Sequence, residues 1–203
     1  MVRNLTQIKD DAYIPPELIG AKGVTLEQFE EFCRKNRKLR LELTSTGELI
    51  AMPPTGGETG RSCSILAGQL YAWSRQDGTG VSFGSSAGFM LPNGAIRSPD
   101  ASWIKLETWD SLTAQQRKRF MPFCPDFAVE LRSPSDTFTE LTLKMLEYLE
   151  NGMSLGWLID PFKRKVYVYE PNQEVVILDN PEMVSADPLL PGFTLDLTDI
   201  WPE

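Results

Sequence analysis

A chain of 203 residues, 41% hydrophobic and 24% charged, has the make-up of a globular protein able to bury a sizeable core. It contains no histidine, which excludes Ser-His-Asp and Cys-His catalysis and every histidine-ligated metal. Any metal must then be held by oxygen atoms, which points to magnesium, manganese or calcium. The net charge of −8 is uneven: residues 171–203 hold seven acids and no Lys or Arg, leaving 20 basic against 21 acidic residues before them. Three basic clusters lie in that near-neutral part: Arg34, Lys35, Arg37, Lys38 and Arg40; Arg117, Lys118 and Arg119; Lys163, Arg164 and Lys165. Solvated helix ends and a turn are the favoured reading of each cluster taken alone, with nucleic-acid contact as the alternative. Three widely spaced cysteines (Cys33, Cys63, Cys124) without a C-x-x-C argue for reduced thiols and against structural zinc. No apolar run approaches the roughly 20 residues of a membrane span. The N-terminus lacks a signal-peptide core, so a cytoplasmic location is expected.

Thr25-Leu-Glu-Gln opens a helix with a capping pattern, and Leu26, Phe29, Phe32 and Cys33 make its apolar stripe. Residues 39–44 and 48–52 read as a hairpin, closed by Pro53-Pro54. A Gly-rich loop over 54–60 feeds a long helix to about Gln76, with Leu66, Leu70 and Trp73 at helical spacing. It is no phosphate loop, because that motif needs Gly at Thr55 and Lys at Arg61. Glu58 in this loop is either a chemically useful carboxylate or a favourable acid at a helix N-terminus. Residues 81–91 read as a strand interrupted by G-S-S-A-G at 84–88, a G-x-S-x-G match without chemistry since no histidine can activate Ser86. The segment 98–106 returns as a strand that starts with Asp100, and 108–121 reads as a short polar helix.

The chain is organised around residues 97–149, with R-S-P-D at 97–100 and D-F-A-V-E-L-R-S-P-S-D at 126–136. Alternation puts Phe127, Val129 and Leu131 on one face of a strand and Asp126, Ala128, Glu130 and Arg132 on the other. A carboxylate in so apolar a strand needs a partner, because an unpaired buried charge is costly. Two neighbouring strands carrying Asp100 and Glu130 would bring two acids to one divalent cation. A helix follows from about Thr137 to Asn151, with a Thr137–Glu140 capping box and Leu141, Met145, Tyr148 and Leu149 as its stripe. Lys144 lies at the edge of that stripe, where it either reaches toward the sheet or snorkels to solvent. Residues 154–160 form a buried strand, 165–170 and 174–178 a hairpin, and the 189–195 tail is expected to pack over the core. Carboxylates, a divalent ion and a lysine are the parts for metal-assisted phosphodiester hydrolysis.

The order S-P-D, V-E-L-x-S-P-S-D, a helix with K-M-x-E-Y, then G-W-L-I-D-P resembles the Uma-two family of restriction-endonuclease-like proteins, within the PD-(D/E)XK nuclease superfamily. The resemblance extends from the Thr25 helix through P-T-G-G-E-T-G to L-P-G-F at 190–193. It implies a mixed α/β restriction-endonuclease-like domain: a helix–hairpin extension over 1–53, a core over 54–180 and an acidic tail over 181–203 packed on it. It implies Asp100 and Glu130 as acids holding magnesium or manganese, Glu58 as a third, and the Leu131 carbonyl as a further ligand. Arg132 stands where the superfamily has lysine; the resemblance moves that role to Lys144 and leaves Arg132 to an ion pair or a phosphate. The implied function is cleavage of DNA by a homodimer or larger homo-oligomer. The competing reading is an inactive nuclease fold that serves as a binding or assembly module.

Overall fold

The computed structural model describes residues 20, 22–37, 39–52 and 54–202. Expectations for the N-terminal residues, Lys38 and Pro53 lie outside them. In chain order the first elements are α1 (Leu26–Lys35), β1 (Arg40–Leu43), β2 (Leu49–Met52), α2 (Gly57–Asp77), β3 (Gly80–Gly84), β4 (Phe89–Met90), β5 (Ile96–Arg97) and β6 (Ala101–Lys105). They are followed by α3 (Leu106–Ser111), β7 (Phe127–Leu131), α4 (Phe138–Glu150), β8 (Leu155–Asp160), β9 (Lys165–Tyr169), β10 (Val176–Asp179), β11 (Met183–Ser185) and β12 (Thr194–Asp196). The described residues fall into two units, 20–54 with 94–96 and 55–93 with 97–202.

In the first unit, the Thr25 hydroxyl accepts from the Gln28 amide while Gln28 Oε1 accepts from the Thr25 amide, a reciprocal cap for α1. Of the expected stripe only Phe29 is buried; Leu26 is 38% exposed. β1 and β2 pair antiparallel from Arg40↔Met52 to Leu43↔Leu49, and Leu43 also pairs with Ile96. Gly47 turns the hairpin at φ 77°, and a Cβ there would stand 3.0 Å from Gly23 and Val24 backbone atoms.

The second unit is built on a six-stranded sheet in the order β10-β9-β8-β7-β6-β3. β7 and β8 are its parallel pair, and α4 connects them. One face carries Trp103, Phe127, Val129, Leu131, Trp157 and Ile159. Leu66 and Leu70 of α2 and the C-terminal Leu190, Phe193, Leu195 and Ile200 cover it. The opposite face carries Glu130 and Gly156, and α4 lies close upon it: a Cβ on Gly156 would collide with Met145 Cε.

The expected interruption at 84–88 separates β3 from β4, with Ser86 in the turn between them. One local expectation is corrected: the polar helix over 108–121 is instead α3 followed by a 3-10 turn at Gln116–Lys118. Ser111 donates to the Thr108 carbonyl, and Thr113 and Gln116 exchange side chain–backbone bonds, so local polar groups satisfy the backbone and end the helix at extended Leu112.

Candidate active site

The β6–β7 register pairs Ala101 with Val129, Ser102 with Ala128 and Trp103 with Phe127. Carried one residue outward, it sets Asp100 across from Glu130. The Asp100 carboxylate extends the ladder by accepting from the Leu131 amide at 2.9 Å. In an extended strand the N–H and C=O of one residue leave by the same edge, so the Leu131 carbonyl also faces the Asp100 strand. Asp100 is half-buried and Glu130 only 3% exposed.

Glu130 is not left as an isolated charge. Lys144 Nζ lies 2.9 Å from its Oε1, with side-chain exposures of 11% and 4% for the pair. The Tyr148 hydroxyl donates to the same oxygen at 2.9 Å. Lys144 and Tyr148 are one helical turn apart and therefore share a face of α4. The geometry decides the alternatives for Lys144: it reaches the sheet and does not snorkel.

The loop bearing Asp100 is tied to that same helix. Arg97 Nε donates to Glu147 Oε2 at 2.6 Å, both side chains being largely buried. The Asn93 side-chain amide donates to Glu147 Oε1 at 3.0 Å, and its backbone amide donates to Asn151 Oδ1 at 2.8 Å. Thr137 and Glu140 cap the other end of α4 reciprocally.

Glu58 lies exposed in the first turn of α2, where an acid complements the helix dipole. Among the described residues no three His, Cys, Asp or Glu side chains form a metal-holding group, so Glu58 does not complete one with Asp100 and Glu130. Arg132 takes the ion-pair alternative: its Nη1 donates to Asp160 Oδ2 at 2.9 Å, and Asp160 is fully buried. Several residues of the basic clusters have protein partners. Lys35 pairs with Glu31, Arg117 with Asp110 and the Trp109 ring, Lys165 with Asp179, and Arg164 donates to the Pro202 carbonyl.

Tyr148, Glu147 and Asp160 are the site's neighbours that pattern reading missed. Tyr148 had a signal, its four-residue spacing from Lys144. Arg97–Glu147 and Arg132–Asp160 span 50 and 28 residues and leave no local trace.

Asp100, Glu130 and the Leu131 carbonyl form an all-oxygen donor set, which fits magnesium held by one or two carboxylates with water completing the shell. The buried Ser102 hydroxyl, two residues along β6 on the same face, has no hydrogen-bond partner in the protein, so a water at this site would find a further polar contact. Burial pushes the Cys124 thiol up to about 12 and Cys33 up to about 11, which disfavours a thiolate at either.

Residues 26–198 match the model of the Uma2 family, described as "Putative restriction endonuclease". The match takes in Glu58, Asp100, Glu130, Leu131 and Lys144. The fold is also that of a crystal structure titled as a "putative nuclease belonging to DUF820" from Anabaena variabilis. The TM-score is 0.71 at 23% identity, covering 88% of this chain and 98% of that one. No curated protein matches the chain. The mixed α/β fold is thus restriction-endonuclease-like. No helix among the described residues is long and apolar enough to cross a membrane.

Proposed function

Since the chain belongs to the Uma2 family, we propose that it is a nuclease that hydrolyses phosphodiester bonds of DNA with magnesium or manganese. Asp100, Glu130 and the Leu131 carbonyl would hold the ion, with Glu58 as the third acid. When bound, the ion supplies Lewis-acid polarisation of the phosphate and a water of lowered pKa. The observation that carries the reading is the Lys144–Glu130 contact beside the Asp100–Leu131 bond. A buried cation beside Glu130 supports the reading of these acids as groups that face a phosphate.

The residues themselves do the rest. Tyr148 and Lys144 both hold Glu130 Oε1, which fixes the carboxylate rotamer. The Lys144 ammonium can hold a water in line with the phosphorus and balance negative charge as the transition state forms. Arg132 cannot share that work while it neutralises buried Asp160, and a guanidinium is a poor proton carrier at neutral pH. The Arg97–Glu147 pair holds the Asp100 loop and α4 in one frame.

One observation favours the inactive binding-module reading. Asp100 and Glu130 already have protein partners, and no third acid joins them among the described residues. Calorimetric titration of manganese into wild type, Asp100→Ala and Glu130→Ala separates the two. Binding to wild type that both variants lose, with plasmid cleavage reduced at least about 100-fold in Lys144→Ala, is the expected result. Absence of wild-type binding at millimolar manganese ends the nuclease reading.

A further inference from the structure

The β8–β9 turn holds one aromatic ring out in solvent beside the site. Phe162 is 54% exposed, yet its backbone is tightly fixed. Buried Asp160 accepts from the Phe162 amide at 3.1 Å and the Lys163 amide at 3.3 Å through Oδ1, while its Oδ2 takes Arg132. Arg164 closes the turn by donating to the Pro161 carbonyl, at φ 49°. The Arg132 guanidinium lies over the Phe162 ring, 5.3 Å from its centroid. Lys163 Nζ stands 5.2 Å from the Phe138 centroid.

This turn follows the C-terminal end of β8, which lies parallel to β7 with Leu131 opposite Ile159. Arg132, which touches the ring, is two residues past Glu130. Ring and acids therefore share one end of the sheet, the C-terminal end of the parallel β7–β8 pair. Arg132 covers one face of the ring and solvent reaches the rest. A rigid ring with cations alongside stacks a nucleobase at little entropic cost, while phosphates meet Lys163. Bases inside a duplex are stacked on one another and offer no free face.

Resting on the nuclease reading above, we propose that Phe162 is a stacking platform for an unpaired base, so that the preferred substrate is DNA with a single-stranded segment beside the cut phosphate.

The test is fluorescence anisotropy with a labelled DNA strand of about twelve nucleotides and the same strand as a duplex, with calcium replacing magnesium to suppress cleavage. Phe162→Ala should weaken single-strand binding about 5- to 100-fold and change duplex binding less than about twofold. Phe162→Trp should bind the single strand at least as tightly as wild type. Because Phe162 is exposed, the melting temperature should not move in either variant. Duplex binding by wild type with no selective loss in Phe162→Ala overturns the platform and leaves the nuclease reading intact. Binding of neither form by wild type overturns both.

Discussion

The two faces of β7 are built from alternate residues of one strand and are stabilised in opposite ways. On one face Phe127 and Val129 lie against Trp157 and Phe193, with Phe127–Trp157 edge-to-face at 4.8 Å and Trp157 stacked on Phe193 at 6.0 Å. That face tolerates indole N–H groups of Trp103 and Trp157 without partners, because its aromatic burial outweighs them. On the other face Glu130 is buried to nearly the same degree, and its contacts include an ammonium and a phenol. Removing either would raise the cost of burying a carboxylate there. One face gains stability from area; the other spends area on a charge constellation that packing alone would not select.

Three perturbations distinguish the faces. Trp157→Ala should cost about 3–5 kcal/mol in urea denaturation, and no second substitution on the charged face should recover it. Manganese binding by the folded fraction should persist. Lys144→Met should cost about 3 kcal/mol, since it leaves Glu130 buried beside an apolar chain. Adding Glu130→Gln should recover most of that loss while leaving cleavage abolished. Failure of the double variant to recover would mean that Lys144 contributes by packing, as the opposite face does.

The third effect is a loss of stability that sets in only above neutral pH. Cys124 donates its thiol to the Tyr148 carbonyl behind the charged face, and burial pushes it up to about 12. The unfolded thiol titrates near 8.5, so the folded state favours the neutral form. That contribution is complete below about pH 8.5 and is lost as pH rises toward 12. The melting temperature of wild type should therefore fall faster than that of Cys124→Ala between pH 9 and 11. Parallel curves would show that the thiol is not buried at α4.

Much of this architecture is legible in local pattern. The alternation of 126–132 places every β7 side chain on its observed face, because a strand with two covered sides leaves no freedom in its period of two. Thr137 with Glu140 and Thr25 with Gln28 mark their helix starts because a capping box is complete within four residues. The split of 108–121 was not legible in the same way: polar residues favour helix and turn about equally, and only the Thr113–Gln116 bonds choose.

The site divides along the same line. By itself the sequence determined the chemical inventory: oxygen ligands only, no histidine, acids at Asp100 and Glu130 bordering buried strands, and a lysine one helical turn from Tyr148. Tertiary structure decided which groups meet. It set Asp100 on the Leu131 amide, paired Lys144 with Glu130, gave Arg132 to Asp160 and fastened Arg97 to Glu147. Those pairings depend on strand register and on where α4 crosses the sheet. Neither leaves a periodic trace in the chain, because a charge buried 50 residues away looks the same locally as one facing water.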